Sequence, residues 1–276
     1  MPEPVTTIGL SAVAAYLGKD GITKILGPTA DYLGVSLKDF AKKRADNVGR
    51  IFGNAEKKLG NKINQSGQVP PKVLKTIIDE GSYSDDTVTV EYFGGVLASS
   101  RTESGRDDRG ARIGKILDNM SVYQIRSHYI VYTIIRKLFD DSEYLFNQED
   151  RHKMKIFIPW NTYVNSMDFD KTEDEQFVSI LNNTFFGLNK DDLIETFYYG
   201  PVEHIQKKFP EAKDGGIVVS PSALGAELYL WGFGFGDKDL SFILKDTSFE
   251  DIHDITIELD EVLTSEKHIQ QVRGDQ

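Results

Sequence analysis

The segment from Ser121 to Leu138 constrains the fold most, because its apolar residues lie on more than one side of any helix that it forms. These residues are Tyr123, Ile125, Tyr129, Ile130, Tyr132, Thr133, Ile134 and Leu138. A helix that is apolar all round is buried in the core of a protein. Serine is a favoured helix N-cap, so we predict a central, buried helix that begins after Ser121.

A second segment, from Leu37 to Ile63, predicts a long amphipathic helix, because its apolar residues recur mostly at steps of three and four. Between Lys38 and Lys62, eight cations stand against three acidic residues, a net charge of +5 in a chain whose formal net charge is −11. Two interpretations of this basic face stay open: a solvated helix face, or a contact with nucleic acid, lipid or a protein partner. Its candidate binding residues are Lys42, Lys43, Arg44 and Arg50.

A polar connector from Ser99 to Gly110 concentrates guanidinium and carboxylate groups between two predicted helices. Arginine side chains bind phosphate with fork geometry, and neighbouring carboxylates can hold a hard cation. The alternative is a network of intramolecular salt bridges that holds the connector in place. The candidate binding residues of this connector are Arg101, Arg106, Asp107, Asp108 and Arg109.

The order of predicted elements indicates a mainly α (α+β) fold with two domains. Residues 1–140 form a helical domain with the long basic helix, residues 141–264 form an α+β, winged-helix-like domain with a few short strands, and residues 265–276 form a polar tail. The second domain is predicted from helices over 177–188 and 190–198, a strand over 215–219, a helix through 224–231 entered by Ser220 and Pro221, and a strand over 255–259. The aromatic run Phe197-Tyr198-Tyr199 fits either a core or an exposed interface patch.

The residues that carry common enzyme chemistry are absent or badly placed. No cysteine occurs, so the chain has no disulfide, no thiolate nucleophile and no cysteine-based metal site. The five histidines match no metal-ligand spacing, and neither a serine nucleophile elbow nor a phosphate-binding P-loop is present. We assign no catalytic residue, we expect no metal or cofactor, and we interpret His128 as a hydrogen-bonded core or interface histidine.

The N-terminal apolar stretch from Ile8 to Leu17 is too short to span a membrane, and a polar Gly18–Gly21 segment interrupts it. A basic leader does not precede it, so a secretory signal does not fit. We expect a cytoplasmic protein without a transmembrane segment, in which this stretch forms a buried amphipathic helix rather than a peripheral membrane contact.

Six stretches of the sequence together resemble the Abi-alpha (abortive infection alpha) family. They are Leu26–Gly34, Val69–Val73, Glu91–Ser100, Arg106–Gly110, Ser121–Tyr129 and Pro221–Trp231. The resemblance implies a bacterial cytoplasmic protein linked to abortive infection, in which an infected cell stops growing or dies before phage matures. It implies no catalytic residues.

Three functions are consistent with these observations. The first is an anti-phage defence protein that acts through a protein partner or self-association, with the basic helix and the connector as its surfaces. The second is a nucleic-acid-binding module, because the basic helix and the winged-helix-like order fit such a role. The third is a metal-dependent hydrolase-type toxin that uses Asp107, Asp108 or His128.

Overall fold

The computed structural model describes residues 37–265, with side chains from Lys42 onward. Contacts divide the chain into two units, Met1–Asn47 and Val48–Gln276. The predicted N-terminal amphipathic helix, the stretch Leu26–Gly34 and residues 266–276 of the polar tail lie outside the described residues. Within the stretch that the structure describes, no helix is long and apolar enough to cross a bilayer.

The fold is mainly α with one small sheet, as predicted. In chain order the helices are α1 (Leu37–Leu59), α2 (Pro71–Gly81), α3 (Thr87–Ser99), α4 (Arg109–Asp118), α5 (Val122–Leu138), α6 (Gln148–Lys153), α7 (Trp160–Met167), α8 (Lys171–Glu175), α9 (Phe177–Lys190), α10 (Val202–Ile205) and α11 (Ala223–Gly232). Short 3-10 turns cover Gly60–Asn64, Leu240–Leu244 and Asp246–Ser248.

Local capping chemistry sets several helix boundaries. Gly60 has a φ of +49°, and such a left-handed residue ends an α-helix, so α1 stops at Leu59 rather than at Ile63. Asp86 caps α3 by accepting a hydrogen bond from the Thr89 amide. Ser121 caps α5 in a reciprocal capping box with Gln124. The predicted caps at Asp86 and Ser121 are therefore confirmed.

Helix α5 is the central helix of the fold. Its buried residues lie on all sides, and Tyr129, Ile130, Val131, Tyr132, Ile134 and Ile135 have no exposed surface. Helices α3, α7, α9 and α11 and strand β3 (Gly216–Pro221) contact it. The predicted central, buried helix is confirmed.

The sheet contains four antiparallel strands in the order β2-β3-β1-β4. They are β1 (Ile156–Pro159), β2 (Ile194–Gly200), β3 and β4 (Leu263–Thr264). In the centre of the sheet, Ile217 pairs with Ile158 on one side and with Tyr199 on the other. Strand β2 therefore lies at an edge of the sheet.

Three local predictions in the second half of the chain are wrong. Strand β2 occupies most of the predicted helix over 190–198, because its β-branched and aromatic residues favour an extended chain. The cap of α11 is Ser222 rather than Ser220, and Pro221 ends β3. Residues 255–259 are not a strand. The winged-helix-like order included a helix over 190–198, and most of that segment is strand β2. A winged-helix-like domain therefore stays a prediction.

The unit Val48–Gln276 has one large hydrophobic core. Its buried residues run from Ile51 to Val262, so the domain boundary predicted between residues 140 and 141 falls inside this core. Arg136 on α5 is buried within it, and its guanidinium pairs with the carboxylates of Asp246 and Asp251. This buried cation fixes the segment after α11 to the central helix.

Candidate protein-contact surface

The basic face of α1 is partly engaged in packing. Lys42 and Lys43 are exposed, and Arg44 is half-buried. Arg50 donates a hydrogen bond to the carbonyl of Asp85 at 3.0 Å. Lys58 pairs with Glu91 at 2.9 Å, and its ammonium lies 5.0 Å from the centre of the Phe233 ring. Two cations of the basic face, Arg50 and Lys58, therefore contribute to packing within the fold.

Arg101 has a structural role in the connector. Its guanidinium donates hydrogen bonds to the carbonyls of Lys62, Ile63 and Gln65, at 3.0, 3.3 and 2.6 Å. These carbonyls lie in and after the 3-10 turn that follows α1. Arg101 therefore stabilises the turn that connects α1 to α2.

Three other charged residues of the connector, Asp107, Asp108 and Arg109, form intramolecular ion pairs. Asp107 pairs with Arg109 at 2.6 Å, and hydrogen bonds from Arg109 hold the pKa of the Asp107 carboxyl below its usual value. Asp108 pairs with Lys72 at 2.9 Å. Arg106 is exposed. The salt-bridge interpretation describes these pairs, and phosphate or cation binding by the connector stays a prediction.

His128 is a core histidine, as predicted. It has no exposed surface, and the Tyr92 hydroxyl lies 3.0 Å from its Nδ1. Its Nε2 donates to the carbonyl of Gly225 at 2.9 Å, so Nδ1 of the neutral ring accepts from Tyr92. Burial lowers the pKa of His128 to about 3. The ring is a neutral link between α3, α5 and α11.

The three residues assigned to a hydrolase do not form a shared catalytic site. Asp107 and Asp108 have different cationic partners, and His128 is enclosed in the core. Among the described residues, no group of three or more histidine, aspartate and glutamate side chains could hold a metal ion.

Helix α9 exposes apolar side chains on the side opposite its buried face. Val178 is 65% exposed and Phe186 is 61% exposed, and Asn182 lies between them at the same helical spacing. The face towards the core carries Ile180, Leu181, Thr184, Phe185 and Leu188. A surface helix usually has one apolar stripe, so the second stripe needs a separate explanation.

The exposed stripe of α9 continues onto strand β2. The ring of Phe186 meets the ring of Phe197 edge-on with centroids 5.1 Å apart. The hydroxyl of Tyr199 donates to the side-chain oxygen of Asn182, and Phe197 and Tyr199 stack at 6.2 Å. We call the set of Val178, Asn182, Phe186, Phe197 and Tyr199 the aromatic edge surface.

The backbone of β2, beside this surface, has N–H and C=O groups that are available for hydrogen bonding. In the described part of the chain, no hydrogen bond from outside the sheet reaches the backbone of residues 196–200. Asn189 bonds only the preceding carbonyls of Ile194 and Glu195, at 3.3 and 2.9 Å. Every second residue of an edge strand directs its N–H and C=O groups away from its neighbour. Strand β2 therefore presents an open edge.

No family model, curated protein or solved structure matches this chain.

Sequence reasoning did not identify Val178 and Phe186 as surface residues. The available signal was that α9 carries apolar residues at Val178 and Phe186, eight positions apart, in addition to a complete core-facing stripe. Phe197 and Tyr199 are half-buried and pack against the core, and Phe197 also contacts Phe186. Neither the core nor the exposed-patch interpretation of this aromatic run describes them fully.

Proposed function

We propose that this chain is an anti-phage defence protein of the abortive-infection type, and that it acts through protein contacts at the aromatic edge surface. The observation that carries the proposal is that the exposed Phe186 of α9 contacts Phe197 on a strand with an open edge. The defence role is supported by the resemblance of six sequence stretches to Abi-alpha proteins.

Two physical arguments support a contact role for this surface. Contiguous apolar patches on a protein surface mark interaction sites, whereas single exposed apolar residues need no explanation. Open strand edges are usually shielded by charge, proline or a covering element. Residues 196–200 of β2 carry no charged side chain and no proline.

The proposal is tested by phage plating on bacteria that express the chain, with Phe186→Ser compared with Leu145→Ser. Leu145 is 71% exposed, so the control removes an equally accessible apolar side chain at another place. We expect wild type and Leu145→Ser to reduce plaque formation and Phe186→Ser to lose that protection at equal protein level.

Equal protection by the two variants would exclude the aromatic edge surface as the contact site. Absence of protection by the wild type against a broad phage panel would remove the defence proposal itself.

Nucleic-acid binding is a second candidate, favoured by the exposure of Lys42 and Lys43 on the basic helix. Contacts with phosphates release counterions, so such binding weakens as salt rises. Fluorescence polarisation with labelled DNA and RNA over a salt series tests it, with Lys42→Glu/Lys43→Glu as the variant. Binding that is absent at low salt would eliminate this candidate.

A further inference from the structure

We propose that the partner at the aromatic edge surface is a second copy of this chain, joined by antiparallel pairing of the two β2 strands. The inference rests on the contact surface of the proposed function, and it is independent of the defence role.

The open edge of β2 supplies the first requirement for such pairing. Residues 196–200 have backbone hydrogen bonds only to β3 within the described part of the chain. Two such strands related by a two-fold axis satisfy each other's free N–H and C=O groups, because an isologous interface uses the same surface on both subunits.

The side chains of the strand are complementary to themselves in one register. If the two-fold axis passes beside Tyr198, Thr196 faces Gly200 of the second copy, and Phe197 faces Tyr199 of the second copy. Directly opposed aromatic side chains on one face of an antiparallel pair stabilise the pairing. The register therefore places aromatic rings against aromatic rings twice, once on each side of the axis.

The charges also favour a second copy. The chain has a formal net charge of −11, so most faces of two copies repel each other. Residues 196–200 are uncharged, and in this register Glu195 faces Pro201 rather than another carboxylate. At the open edge, two acidic molecules can therefore meet without placing like charges opposite each other.

Helix α9 enlarges the contact. Phe186 packs on Phe197 at 5.1 Å, so pairing brings Phe186 beside Tyr199 of the second copy. The exposed stripe of each copy is covered by the identical stripe of the other copy. Apolar surface on both subunits is thereby removed from contact with water. An extended peptide from another protein would cover the strand edge without supplying this second helix.

Light scattering of the full chain over a concentration series tests the inference. We expect wild type to have twice the monomer mass of 31.0 kDa and Phe186→Lys to be monomeric. Leu145→Lys, at an equally exposed position, should remain dimeric. Circular dichroism checks that both variants are folded.

The absence of cysteine from the chain permits a test of register. Tyr198→Cys places one thiol from each copy beside the axis, and we expect oxidation to give a covalent dimer on a non-reducing gel. Leu145→Cys should stay monomeric on the same gel. A dimer that survives Phe186→Lys, with no cross-link through Tyr198→Cys, would contradict the proposed interface.

A wild type that is monomeric at every concentration would overturn the second-copy inference. If Phe186→Ser then still lost phage protection, the surface would bind a different protein and the proposed function would stand. A wild-type dimer that pairs through β2 but gives no protection would support this inference and remove the defence role.

Discussion

At the residue scale, His128 shows how the core converts a titratable group into a structural link. Its ring joins the Tyr92 hydroxyl to the Gly225 carbonyl, and protonation would remove the acceptor at Nδ1 and place a charge inside the core. The pKa of about 3 in the folded chain lies below the value of about 6.5 for an exposed histidine.

This lowered pKa predicts a loss of stability in acid. Above pH 6.5 neither state binds the proton, whereas between pH 6.5 and pH 3 only the unfolded chain binds it, so the free energy of unfolding falls. Between pH 7 and pH 5 we expect His128 to contribute a loss of about 2 kcal/mol. His128→Gln should have a lower stability at pH 7 and a pH dependence weaker by that amount, measured by urea unfolding. An unchanged pH dependence would contradict a neutral His128.

Arg101 allows a second prediction at this scale. Removal of its guanidinium leaves the carbonyls of Lys62, Ile63 and Gln65 without this donor. We expect Arg101→Ala to lower the free energy of unfolding by about 1–2 kcal/mol. The exposed Arg106 provides the matched control, and Arg106→Ala should change stability by less than about 0.5 kcal/mol. Equal effects of the two substitutions would refute the structural role of Arg101.

At the scale of elements, glycine sets the distance between α3 and α11. A Cβ atom at Gly95 would lie 1.8 Å from the carbonyl oxygen of Gly232, which is far inside contact distance. The two helices approach so closely because neither residue has a side chain at this point. The close packing predicted from Gly94-Gly95 is confirmed.

Gly95→Ala is therefore expected to destabilise the chain despite the better helix propensity of alanine. Overpacking costs about 1–3 kcal/mol, against a propensity gain of about 1 kcal/mol. A Cβ at Gly53 on α1 would meet nothing within 4 Å, so Gly53→Ala should leave stability unchanged or raise it. Thermal unfolding of both variants tests this contrast, and a stabilising Gly95→Ala would be inconsistent with the observed packing.

The sequence predicts those elements whose signal is local. Helix α5 has apolar residues all round and a serine cap, and both features appear in the structure. Strand β2 is harder to predict, because Lys190 to Tyr198 has no clear periodicity, and its β-branched and aromatic residues become a strand through pairing with β3. The aromatic edge surface was not predictable for the same reason, since it joins α9 to an edge strand that only the tertiary fold defines.

At the scale of the whole molecule, charge and apolar surface are distributed unevenly. The connector and Arg136 use their charges in intramolecular pairs, whereas the aromatic edge surface combines exposed apolar side chains with an uncharged strand. This surface is therefore the part of the described chain that we propose for contact with another protein molecule.

Hydrogen–deuterium exchange at residues 196–200 tests this central claim most directly, with wild type compared with Phe186→Lys at the same concentration. Amides that point away from β3 are protected only if a partner covers the edge. The account predicts slow exchange of these amides in wild type and fast exchange in Phe186→Lys, with unchanged exchange in α5. Equally fast exchange in both proteins would show an uncovered edge in the purified chain and contradict the pairing of two copies.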